Sequence, residues 1–121
     1  MQTANEKTPR LVIDFEHSDT QKQDHLLLYI TNLLRDFDSQ PLVVEVVAYG
    51  PGVMLLVRGK TEFSERIKEL QFKGVVFRTC RNAMNTFDIQ DNLLLEDVTP
   101  VPSGVGRIVR AQLEGSVYFK G

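Results

Sequence analysis

Cys80 is the only cysteine among 121 residues, and it stands between two arginines in Val75-Val76-Phe77-Arg78-Thr79-Cys80-Arg81-Asn82. The β-favouring residues before it and the polar residues after it predict the exit of a buried strand into a helix. A thiol so placed sits at the C-terminal edge of a sheet, close to a helix N-terminus. Neighbouring cations and the helix dipole favour thiolate over thiol, and the thiolate is the nucleophile. Arg78 and Arg81 are therefore candidate anion-stabilising groups, and Asn82 a candidate ligand or helix cap. The same pattern also describes a small buried hydrophobe flanked by arginines that face solvent.

Two other loops carry residue types that let backbone N–H groups approach an anion. Gly50-Pro51-Gly52 follows an apolar run, and Ser103-Gly104 follows Val101-Pro102. Each candidate has a plainer reading. Gly-Pro-Gly serves as a chain reversal that needs positive φ. Ser103 serves as a helix N-cap, because no histidine is placed by sequence context to activate it as a nucleophile. Neither phosphate-loop pattern is present, so the glycines do not spell a nucleotide site of the usual kind.

The elements that must position these loops alternate between strand and helix. Leu11 to Phe15 reads as a strand, and Ser18-Asp19-Thr20-Gln21 as a capping box. Leu26, Tyr29, Ile30, Leu33, Leu34 and Phe37 then recur at helical spacing. Leu42 to Tyr49 is a nearly continuous apolar run, as in a strand covered on both faces. Val53 to Val57 reads as a helical turn, Glu62 to Phe72 as a helix and Val75 to Cys80 as a third strand. Arg81 to Phe87 follows as a short helix. Val98 to Val101 contains Pro100, which suits an edge strand. A last helix opens at Pro102-Ser103-Gly104, with Val105, Ile108, Val109 and Leu113 expected inward, and Ser116 to Lys120 closes as a strand. Alternation with crossovers of this length predicts a three-layer α/β/α sandwich around a five-stranded, mainly parallel sheet. Residues 1–9 are expected as a flexible tail, with one domain over 10–121. In open sheets of this kind, ligands bind outside the carboxyl ends of the strands, where the three loops gather.

Composition narrows the function. Fourteen basic residues against sixteen acidic give a net charge of -2, without the excess that marks a duplex nucleic-acid binder. A local basic patch of Arg78, Arg81, Arg107 and Arg110 is the remaining possibility of that kind. One cysteine excludes an intrachain disulfide framework and the paired-cysteine redox and zinc motifs. His17 and His25 lack a partner at a recognised ligand spacing, so no metal site is expected. His17 follows the first strand and reads as a surface residue. No signal-like or membrane-spanning run occurs, and a cytoplasmic protein with a reduced thiol is expected.

The chain resembles the DsrE-like family of small sulfur-handling proteins. The resemblance is carried by Val44 to Gly52, by Gly74 to Met84 around Cys80, and by Val101-Pro102-Ser103-Gly104-Val105 with the helix beyond. It runs from about Leu11 to the end. It implies the DsrE/YchN-like five-stranded sandwich, assembly into trimers or hexamers, and a cysteine that accepts sulfane sulfur as a persulfide and passes it on. Cys80 falls at the family's cysteine position and Asn82 at the asparagine two residues later. Ala83 stands where a threonine is usual. The implied partners are sulfur donor and acceptor proteins, with no cofactor, no nucleic acid and no membrane. Two other readings remain at this stage. One is a non-catalytic oligomeric module that binds a small anion or nucleotide; the other is a thiol redox sensor.

Overall fold

The computed structural model describes residues 8–121. The expected tail, residues 1–9, falls for the most part on residues 1–7, outside the described residues. Five strands form one sheet in the order β4-β3-β2-β1-β5. They are β1 (Arg10–Phe15), β2 (Val43–Ala48), β3 (Val76–Cys80), β4 (Thr99–Val101) and β5 (Val117–Lys120). Every neighbouring pair is parallel. The helices are α1 (Thr20–Phe37), α2 (Ser64–Phe72), α3 (Arg81–Thr86) and α4 (Gly104–Leu113), with 3-10 turns at Gly50–Leu56 and Asp91–Leu93.

The register sorts the strand side chains onto two faces, since successive residues alternate. On one face Ile13, Phe15, Val44, Val46 and Phe77 pack with Leu26, Leu27 and Ile30 of α1, Ile67 and Leu70 of α2, and Met84 of α3. On the other, Val12 and Val47 meet Ile108 and Ala111 of α4. The layers are thus three helices, the sheet and a single helix. Pro100 lies in β4, the edge strand, where a missing N–H is tolerated.

Three local expectations are corrected. The cap of α1 is Asp19, whose carboxylate accepts the Lys22 N–H at 3.0 Å, and Gln21 does not close the box. On α4 the inward stripe is Gly104, Ile108 and Ala111. Val105, Val109 and Leu113 are instead 57%, 49% and 82% exposed. Small residues on the inner stripe let the helix axis come close to the sheet, which turns the larger valines and leucine outward. The helix after Cys80 is capped by Cys80 itself, without a side-chain hydrogen bond, so Asn82 is not its cap.

Candidate functional site

The order of the strands creates one place where the chain leaves neighbouring strands toward opposite faces. Beyond β3 the chain enters α3 on the three-helix face, whereas beyond adjacent β4 it enters α4 on the single-helix face. In open α/β sheets such a divergence marks the switch point, beyond whose strand ends ligands commonly bind. Cys80 ends β3 in register with Val101 of β4, and Ser103 and Gly104 follow directly. The switch point therefore lies between Cys80 and the first turn of α4, which pack against each other.

Ser103 has extended backbone geometry and caps α4, its hydroxyl accepting the Gly106 N–H at 3.0 Å. Gly104 is buried. A Cβ at that position would lie 2.9 Å from the Tyr49 Cβ, 3.1 Å from the Cys80 Cβ and 3.5 Å from Val47 Cγ1. The absence of a side chain at Gly104 is what allows the helix terminus to rest against the cysteine. Cys80 is 7% exposed, and its thiol is free.

Both flanking arginines are engaged by carboxylates. Arg78 Nε donates to Glu45 Oε2. Arg81 forms a two-pronged pair with Asp91, one prong at 3.1 Å, and that pair lowers the pKa of the carboxyl and raises that of the guanidinium. Arg107, on α4, also turns to Glu45, through Nε at 2.6 Å and Nη2 at 3.0 Å. Three members of the expected basic patch are therefore neutralised locally, and no open cationic surface forms from them. Glu45 is buried within β2. Burial alone would raise its pKa, but the Arg107 hydrogen bonds and the charges of Arg78 and Arg107 outweigh that and hold the carboxyl below its usual range.

Gly50, Pro51 and Gly52 form the first turn of the Gly50–Leu56 segment, a segment that contacts β3 and α3. Gly50 has φ of 52°. A Cβ on Gly52 would lie 2.3 Å from the Phe15 carbonyl oxygen, so this glycine is required by the close approach of the turn to the end of β1. Asn82 is exposed on α3, and its carbonyl accepts the Thr86 hydroxyl at 3.1 Å. The structure thus brings Cys80 and Gly104 together, with Ser103 next in the chain, and ties Arg78 and Arg81 to carboxylates. His17 packs edge-on to Phe15, with ring centroids 5.5 Å apart.

Two groups, one in mid-β2 and one just past its end, lie outside the candidates read from the sequence. Glu45 is one. The other is Tyr49, whose hydroxyl donates to the buried Asp14 carboxylate at 3.1 Å and lies 3.4 Å from Glu16 Oε1. Burial, the Asp14 hydrogen bond and the charges of Asp14 and Glu16 push the phenol well above its ordinary value. The signal for both was a lone acid inside an apolar strand run: Asp14 in β1 and Glu45 in β2.

Fold and site together define a parallel α/β sandwich with one cysteine at its switch point. The chain belongs to the DsrE/DsrF-like family, whose description matches residues 10–120. Among solved structures, it is 37% identical to a protein of unknown function, MTH1491, from Methanobacterium thermoautotrophicum. That similarity covers 93% of this chain and 99% of the other, with a TM-score of 0.87. The YchN protein from E. coli shares the fold at 11% identity, with a TM-score of 0.75 over 94% of this chain and 99% of that one. A Bacteroides thetaiotaomicron protein of unknown function, BT1422, does so at 18% identity and a TM-score of 0.73, over 100% and 99% of the two chains. No curated protein matches the chain. Among the described residues no helix is long and apolar enough to cross a membrane.

Proposed function

We propose that the protein accepts and relays sulfane sulfur, with Cys80 as the carrying residue. The observation that supports this most is the position of Cys80 at the switch point, at the carboxyl end of β3 and against the first turn of α4. In the loading step the Cys80 thiolate attacks the outer sulfur of a donor persulfide. A new S–S bond forms on Cys80, the donor S–S bond breaks, and the donor leaves as a thiolate. In the unloading step an acceptor thiolate attacks the outer sulfur and Cys80 departs as thiolate, so neither step needs an external oxidant. The chain has no second cysteine to resolve the persulfide, so the acceptor belongs to another molecule or another subunit. The chemistry also needs a compartment in which the thiol stays reduced.

Homo-oligomerisation, as trimers or hexamers, belongs to the same reading. It is supported by the exposed Val105, Val109 and Leu113 on α4 and by the exposed edge strand β5. The low exposure of Cys80 favours a second reading, a binding module in which the cysteine only packs. Incubation with an inorganic polysulfide followed by intact-mass measurement separates the two. A gain of about 32 Da that is lost on reduction and absent from Cys80→Ser is expected. A folded wild-type protein that gains nothing would favour the module.

A further inference from the structure

We infer that α4 is a latch over Cys80, with Glu45 as its catch. The sulfur-relay reading supplies the latch's purpose, control of when the thiol can be loaded; its existence rests on geometry alone. Cys80 as a residue is 7% exposed, so its thiol reacts fastest when a covering element moves. One covering element is the first turn of α4, which meets Cys80 at its Cβ through Gly104; Cys80 also belongs to the buried cluster that holds Ala83 and Met84 of α3. That turn contains Gly104 and Gly106, the weakest helix formers after proline, and it depends on Ser103 for its cap.

The apolar attachment of α4 to the sheet is small: Ile108 and Ala111 against Val12 and Val47. Polar ties therefore carry a large share of its docking. Arg107 lies three residues beyond Gly104 and binds Glu45 with two hydrogen bonds. The same carboxylate holds Arg78, two residues before Cys80 on β3. One acid thus ties together the helix and the strand that enclose the thiol. On opening, Glu45 and Arg107 regain water, so release costs less than tearing a purely apolar helix from its sheet. Elements of this kind populate the low-stability end of a fold's local openings.

The test reads access to the thiol and needs no sulfur transfer. Methyl methanethiosulfonate converts the Cys80 thiolate to Cys80–S–S–CH3 with release of methanesulfinate, and intact mass follows the rate. Arg107→Met removes the tie and leaves Arg78 to satisfy Glu45. It should accelerate labelling about tenfold or more, the weight of a lost charge-assisted hydrogen bond. Glu45→Gln should act in the same direction. Arg66→Gln, which breaks the pair with Asp24 between α2 and α1, should leave the rate unchanged. Amide exchange should rise in the first turn of α4 and stay slow in β1 and β2. Equal labelling rates in wild type and Arg107→Met would overturn the latch. So would acceleration accompanied by an equal rise in exchange throughout the central strands, which marks global unfolding. A protein that never carries a persulfide but shows the Arg107 effect would retain the latch and lose the relay.

Discussion

Arg107 on α4 grips Glu45 on β2 through hydrogen bonds of 2.6 and 3.0 Å across 62 positions of sequence. Arg78 on β3 shares the same carboxylate, and Glu114 extends the cluster at 3.4 Å from Arg107. An acid in the middle of the most apolar strand is tolerable because two cations meet it there.

Removal of the acid alone should be costly. Glu45→Ala leaves Arg78 and Arg107 facing each other without a counter-charge. A loss of about 3 kcal/mol is expected, at the low end for a broken buried pair because both guanidinium groups keep some contact with water. Urea denaturation of the variant measures it; a change within about 0.5 kcal/mol, typical of a surface substitution, would contradict the burial argument.

The same carboxylate sets an acid limit. Its pKa is lower in the folded protein than the ordinary 4.5, so the unfolded chain takes up the proton first as pH falls. The stabilisation is complete at neutral pH, starts to decline near 4.5 and is gone once pH has passed below the folded value. Denaturation midpoints between pH 7 and 3 should therefore fall more steeply in wild type than in Glu45→Gln. Parallel curves would remove Glu45 as the cause.

Tyr49 makes a matching prediction at alkaline pH. Its pKa is raised above the ordinary 10.0, as is that of Tyr118, where burial and Asp14 act in the same direction. The unfolded phenols ionise first, so stability is lost as pH rises past 10 toward the folded values. Ultraviolet titration of the native protein should show late phenolate formation, and Tyr49→Phe should delete one late step. A variant whose late steps are unchanged would assign them elsewhere.

Two glycines should differ in their response to alanine. At Gly52 the new Cβ meets the backbone oxygen of Phe15 at 2.3 Å, whereas at Gly104 it meets side-chain carbons at 2.9 and 3.1 Å. Gly52→Ala should therefore destabilise by more than about 2 kcal/mol. Gly104→Ala should cost less, because its collision is partly offset by about 1 kcal/mol of helix propensity. Thermal or urea unfolding of both variants gives the order, and the reverse order would contradict the packing described for the two turns.

The fold was legible because its strands are apolar runs and its helices carry apolar stripes. The Ser103 cap and the strand exit at Cys80 were legible for local reasons. What was not legible depends on register. Whether Arg78 faces Cys80 or an acid is decided by the alignment of β3 with β2, which places Val47 beside Arg78 and leaves Glu45 within its reach. The facing of α4 was misread because an apolar count favours Val105, Val109 and Leu113. Packing is governed there by Gly104 and Ala111, whose small size permits contact. The pairing of Tyr49 with Asp14 spans 35 positions and has no local signal.

Sulfur relay requires that Cys80 hold a transferable sulfur. The most direct measurement is cyanolysis of the polysulfide-treated, desalted protein, in which cyanide attacks the outer sulfur, leaves as thiocyanate and returns Cys80 as thiolate. Close to one thiocyanate per wild-type chain and none from Cys80→Ser are expected. Equal yields from the two proteins, or none from a folded wild type with its thiol intact, would contradict sulfur relay.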